Sequence, residues 1–128
     1  MHAMTDVTGF GLMGHARELA LGSGVGITIE TRAVPVLEGA MAAAQAGCIP
    51  GGLIANREFA ECIVADAPHA TIEECLRALL YDPQTSGGLL ISLPAERADA
   101  LAEALRIAGY PAARIGKVIE GSPKIILS

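Results

Sequence analysis

Met4-Thr5-Asp6-Val7-Thr8-Gly9-Phe10-Gly11-Leu12-Met13-Gly14-His15 is the stretch on which the reading of this chain turns. Gly9 to Gly14 spell GxGxxG, and Leu12, Met13, Ala16, Leu19 and Ala20 continue at helical spacing to Gly22, a natural helix stop. Val25 to Glu30 then alternates as a strand should, and Glu30 stands about where a dinucleotide fold keeps its ribose-binding acid. That fold requires a buried strand directly before the first glycine. Thr5, Asp6 and Thr8 do not compose a strand buried on both faces, and an anionic Asp6 would stand beside the pyrophosphate. A glycine motif alone is weak ground for a dinucleotide domain, and a glycine-rich turn packed on neighbouring backbone is the plain structural alternative.

A third reading uses every residue of the stretch. Small residues feeding a helix amino terminus leave backbone N–H groups free, which suits phosphate. Asp6 repels a bare phosphate but not one carried by Mg²⁺, a hard cation that takes one or two carboxylates and completes its shell with phosphate and water. Asp6 as metal ligand, with Gly9, Phe10 and Gly11 as a phosphate-facing loop, makes a magnesium-bridged nucleotide site. An aspartate before a helix also serves as a simple cap or turn residue, and spacing alone does not choose between them. For His15, in the first helical turn, a surface or packing role is favoured over catalysis.

Further along, Leu37 to Ala46 predicts a second helix after Val34-Pro35, Pro50-Gly51-Gly52 reads as a loop, and Asn56 to Ala65 leans towards helix. Thr71-Ile72-Glu73-Glu74 has the form of a capping box, with Ile72, Cys75, Leu76, Leu79 and Leu80 as the buried stripe behind it. Asp82-Pro83-Gln84-Thr85-Ser86-Gly87-Gly88 is a polar loop whose Thr85 and Ser86 offer hydroxyls close to paired glycines; an ordinary helix-to-strand connection explains its proline and glycines, but less well its polar centre. Leu89 to Leu93 predicts a strand, Pro94 opens a helix that stops at Gly109, and strands 114–119 and 124–127 close the chain around the turn Glu120-Gly121-Ser122-Pro123. Elements in this irregular order predict a layered α+β domain with a mixed sheet packed by helices, rather than a doubly wound fold.

The chain has 128 residues, the size of one domain. Hydrophobic residues make up 52% and aromatics 3%, so the core must come from Ala, Leu, Ile and Val. A net charge of -5 without basic clusters argues against nucleic acid. Neither a membrane span nor a signal peptide is apparent, so the expected location is the cytoplasm. Cys48, Cys62 and Cys75 fit neither a metal pair nor a disulfide framework and read as small apolar residues in a reduced compartment.

Met4 to His15 resembles the segment that opens the carboxy-terminal domain of selenophosphate synthetases, and Asp82-Pro83-Gln84-Thr85-Ser86-Gly87-Gly88-Leu89-Leu90 resembles that family's second signature. Pro50-Gly51-Gly52 with Asn56 is similar to a third, weaker one, and Ile115-Gly116-Lys117-Val118 to a closing hairpin. The resemblance covers nearly the whole chain. It implies residues 1–128 as the C-terminal part of a two-domain enzyme, partly ferredoxin-like in fold. That family makes selenophosphate from selenide, ATP and water, releasing AMP and phosphate, and is related to aminoimidazole ribonucleotide synthetase, thiamine-phosphate kinase and a hydrogenase maturation factor. It further implies that an N-terminal domain, absent from this sequence, binds most of the ATP and drives homodimerisation, while Asp6 contributes to magnesium-bound phosphates. The Asp82–Gly88 loop is then adjacent to the site or structural. The family's reactive Cys or selenocysteine and its partner Lys lie in a glycine-rich segment with no counterpart here. None of the three cysteines inherits that role, and the chain alone is expected to be inactive.

Overall fold

A computed structural model describes residues 1–128. Its elements run β1 (Ala3–Asp6), α1 (Gly11–Ser23), β2 (Gly26–Ile29), α2 (Ala40–Gln45), α3 (Gly51–Ala60), β3 (Val64–Asp66), α4 (Glu74–Leu79), β4 (Leu89–Ser92), α5 (Ala95–Ile107), β5 (Gly116–Ile119) and β6 (Lys124–Leu127). The mixed sheet expected from the sequence is present. It has four strands in the order β3-β6-β2-β5, parallel from β3 to β2 and antiparallel at β5. A separate antiparallel ribbon pairs β1 with β4.

Strand alternation sets the core. Ile125 and Leu127 of β6 and Ile29 of β2 point inward and are fully buried. They meet Met13 and Ala16 of α1 and Leu53 and Ala60 of α3, with Leu80 and Tyr81 closing the cluster beyond α4. Arg77 of α4 binds Asp66 of β3 at 2.6 Å, and Arg57 of α3 pairs with Glu74, which ties these elements at the surface.

Several expectations need correction. Helix α1 passes Gly22 and stops at Gly24, whose φ of 64° lets its N–H reach the carbonyls of Ala20 and Leu21. Pro50-Gly51-Gly52 is the start of α3 rather than a loop. Gly52 is small there because a Cβ would lie 2.9 Å from the Pro83 ring. The helix expected to reach Ala65 ends at Ala60, and Val64–Asp66 joins the sheet as β3. Thr71 caps nothing: α4 begins at Glu74, whose carboxylate is held by Arg57 instead of turning back to Thr71. The closing strands are not a hairpin, because β2 lies between β5 and β6 and pairs with both. Gly26, at the start of β2, faces Ile119 and Lys124, where a Cβ would sit 2.7 Å from the Ile119 side chain. No helix is long and apolar enough to cross a membrane.

Candidate functional site

The antiparallel register of the ribbon sets Asp6 opposite Leu89 and so brings the ends of two sequence signatures together. Beyond it the loops stay in step: the Val7 N–H donates to the Gly88 carbonyl at 2.9 Å, the Gly87 N–H to Val7 at 3.0 Å and the Gln84 N–H to Thr8 at 3.1 Å. Gly87 is required by closeness, since a Cβ would meet the Val7 carbonyl at 2.8 Å, and Gly88 by its φ of 85°. The Asp82–Gly88 loop is thus built as a mould for the segment that carries Asp6. Within it the Gln84 side-chain N–H donates to the Asp82 carboxylate at 2.8 Å, while Thr85 and Ser86 lie exposed at the tip.

Helix α3 brings in the third segment. Asn56 is buried, and its side-chain amide donates to the Gly9 carbonyl at 2.8 Å and the Tyr81 carbonyl at 2.9 Å. Gly52, one helical turn earlier on the same face, receives Pro83. Reading residues 50–52 as a loop hid this signal: once they are helical, Gly52 and Asn56 stand at i and i+4 and belong to one surface. His15 holds the near side of the loop, its Nε2 accepting the Thr8 N–H at 3.0 Å with the Thr8 hydroxyl at 3.1 Å. That role is structural and places the imidazole proton on Nδ1.

The Asp6 carboxylate is exposed and used by none of the chain's ion pairs. Strand alternation puts it on one face of the ribbon with Met4, and across from them with Leu89 and Ile91. Met4 and Leu89 are 49% and 60% exposed, so the charge stands among bare apolar side chains. No group of three or more His, Cys, Asp or Glu side chains is arranged to hold a metal. A lone carboxylate still fits Mg²⁺, which keeps waters and phosphate oxygens as most of its ligands.

The expected phosphate-facing loop divides in two. Gly9 and Phe10 are exposed, and their N–H groups donate to no backbone oxygen. Gly11 is buried, its N–H donates to Thr8 at 3.0 Å, and its φ is 67°. Gly9 has open space around it. Next to them lies a feature that sequence reading missed, because its members are far apart in the chain: Phe10 stacks on Phe59 at 5.6 Å, and the Arg17 guanidinium covers Phe59 at 4.2 Å.

The dinucleotide alternative lacks its frame. Strands β1 and β2, on either side of α1, belong to different sheets, so the parallel βαβ unit is not formed. Cys48 and Cys62 are exposed, Cys75 is half-buried, and all three are free thiols.

Tyr81, whose carbonyl anchors Asn56, is the core's largest buried side chain, and burial raises its phenol pKa above the usual 10.0, with the charge on Glu61 adding to the rise and Arg57 and Arg77 opposing it. A raised folded-state pKa means stability that is fully present below pH 10 and is lost as pH rises through the folded value, because the unfolded chain releases its proton first. Unfolding midpoints in denaturant should therefore fall between pH 8 and pH 11, and fall less in Tyr81→Phe. An equal alkaline loss in both proteins would remove Tyr81 as its source.

Comparison with known proteins places this arrangement. Residues 1–128 match the family described as AIR synthase related protein, C-terminal domain. The chain belongs to that family. It is 42% identical over 128 residues to selenide, water dikinase 2 of Peptoclostridium acidaminophilum, covering 99% of this chain. The selenide, water dikinases of Clostridioides difficile (strain 630) and Rhizobium meliloti (strain 1021) are 42% and 41% identical over 98% of it. The chain spans about 36% of the length of each of these relatives. Among solved structures, a thiamine-monophosphate kinase from Stenotrophomonas maltophilia K279a superposes over 99% of the chain and 31% of its own, with a TM-score of 0.59 and 20% identity, a likeness of fold. As an AIR synthase-related C-terminal domain, the chain is one part of a longer protein in its relatives, and its three signature segments form one continuous patch.

Proposed function

We propose that this AIR synthase-related domain is the C-terminal domain of a selenide, water dikinase, in which selenide, ATP and water become selenophosphate, AMP and phosphate. The observation that carries the reading is the backbone pairing that holds the Asp6–Thr8 segment, which leads into Gly9 and Phe10, against the Asp82–Gly88 loop, in a chain similar to selenide, water dikinases over nearly its whole length. ATP is held mainly by an N-terminal domain of the same polypeptide, which also carries the Cys or selenocysteine nucleophile and the homodimer contact. This domain contributes Asp6 as a Mg²⁺ ligand.

Phosphoryl transfer rests on positioning and charge neutralisation, and the bound ion supplies the neutralising charge on the phosphates. The chain's own part is to present an unpaired carboxylate and two free N–H donors on a backbone fixed from behind. Thr85 and Ser86 lie exposed at the tip of the adjacent loop. The 128-residue chain by itself is inactive, since one carboxylate and one loop do not offset the cost of immobilising a nucleotide. The enzyme works in the cytoplasm and needs neither nucleic acid nor membrane.

The test is an assay of the full-length polypeptide with Mg-ATP, with and without selenide. AMP formation that depends on selenide is the expected result, with none from residues 1–128 alone. Tight calorimetric binding of Mg-ATP to the 128-residue chain would contradict the division of labour. Its freestanding expression, with no catalytic part in the same polypeptide, would turn the reading towards a docking module.

A further inference from the structure

Two peptide N–H groups, those of Gly9 and Phe10, are free, and their direction is fixed by the oxygens of the same peptides. The chain has no cis peptide bond, and in a planar trans peptide the C=O and N–H point opposite ways. The Thr8 carbonyl accepts from Gly11 at 3.0 Å and from Gln84 at 3.1 Å, so the Gly9 N–H is turned away from both. The Gly9 carbonyl accepts from Asn56 at 2.8 Å, so the Phe10 N–H is turned away from the interior of α3. No backbone donor reaches the Gly9 carbonyl. We infer that Asn56 is a positioning residue which, by holding the Gly9 carbonyl and the Tyr81 carbonyl with one amide group, aims the Phe10 N–H at the phosphates of the nucleotide.

The chemistry of the pair leaves one orientation of the side chain. Both partners are carbonyl oxygens, which only the NH₂ end of the amide can serve, and it has one hydrogen for each. Asn56 is only 7% exposed, so water does not readily replace it. With those donors gone, the part-buried Gly9 carbonyl loses its partner, a state relieved by rotating the 9–10 peptide outward towards water. The rotation would exchange an N–H for a carbonyl oxygen at the place where an anion is to bind. A Cβ at Gly9 would meet nothing within 4 Å, so that side of the peptide is open, while Phe10, at a φ of −85°, has to turn with it.

The inference rests on the nucleotide reading above, and the full-length enzyme tests both. Asn56→Ala should raise the KM for Mg-ATP by about 10-fold, the scale of a lost hydrogen bond to a charged group. Asn56→Asp, equal in shape but unable to donate, should do the same, and Asn56→Gln should recover part of the loss but not all of it. Leu53→Ala removes a buried side chain from the same helix and serves as the control for lost stability: its KM, measured below its unfolding temperature, should stay within about twofold of the parent. A parent-like KM in Asn56→Ala or Asn56→Asp overturns the inference, as does an equal rise in Leu53→Ala. If those two variants do not fold, Asn56→Gln decides, and a parent-like KM there overturns it. The two readings fail separately: full activity in Asp6→Asn removes the nucleotide reading and this inference with it, whereas an inactive Asp6→Asn beside a normal Asn56→Ala removes only the second.

Discussion

Asp6→Asn in the full-length polypeptide should lower turnover by on the order of 100-fold or more, since a metal ion at transferring phosphates contributes several kcal/mol of charge stabilisation. The substitution keeps the size of the side chain and removes its charge. Folding should be indifferent to it: Asp6 is exposed and forms no ion pair, and β1 is held to β4 by backbone bonds that an amide does not disturb. Equal thermal midpoints with a collapsed rate would therefore separate the chemical role from a structural one. Raising Mg²⁺ should recover some of the rate if the loss is one of metal affinity. Near-normal turnover at the Mg²⁺ concentration that just saturates the parent enzyme would end the case for Asp6 as a ligand.

Gly11→Ala should destabilise the domain itself, by about 2–5 kcal/mol, combining the cost of a left-handed φ in a non-glycine residue with that of overpacking. The new methyl group would lie 2.8 Å from the Tyr81 carbonyl carbon and oxygen and 2.9 Å from the Asp82 oxygen, all backbone atoms with no rotamer to change. Relief requires α1 to move away from the Tyr81–Asp82 turn, and the Met13 N–H bond to Leu80 and the Asn56 clamp would move with it. Gly22, within the same helix, is the control. It has nothing within 4 Å of a Cβ, so Gly22→Ala should be neutral or stabilising by up to about 1 kcal/mol. Urea midpoints for the pair would decide the matter. A Gly11→Ala protein as stable as the parent would mean that the two loops are not in contact as described.

These two glycines also show where the sequence was legible. Gly11 belongs to a run whose pattern was visible, but the pattern was ambiguous: the same GxGxxG spells a dinucleotide turn when a parallel strand precedes it. Here it spells a close contact between loops, because β1 pairs with β4 instead. The role proposed for Asp6 rests on chemistry the sequence already displays, since a carboxylate beside free N–H groups suits a cation held between it and a phosphate. Local signals placed α1, β2, β4, α5 and the last two strands to within a few residues. They failed where a distant partner overruled them. Arg57 takes Glu74 from the capping box, Pro83 explains Gly52, and β2 takes the place that a hairpin would have filled. Asn56 could be noticed as part of a motif but not given a task, since both of its partners are carbonyls that carry no side-chain signature.

Strand β2, flanked by β5 and β6, has a bearing on how the protein comes into being. Ile27, Thr28 and Ile29 are made early, yet both neighbours of that strand lie within residues 116–127. A nascent chain emerging from the ribosome can form its helices as they appear, but its central strand must wait for nearly all the remaining sequence. The closure it then undergoes spans about ninety residues, the kind of non-local pairing that slows folding and leaves apolar strands uncovered meanwhile. Synthesis of this domain is thus all but complete before any of its main sheet can exist.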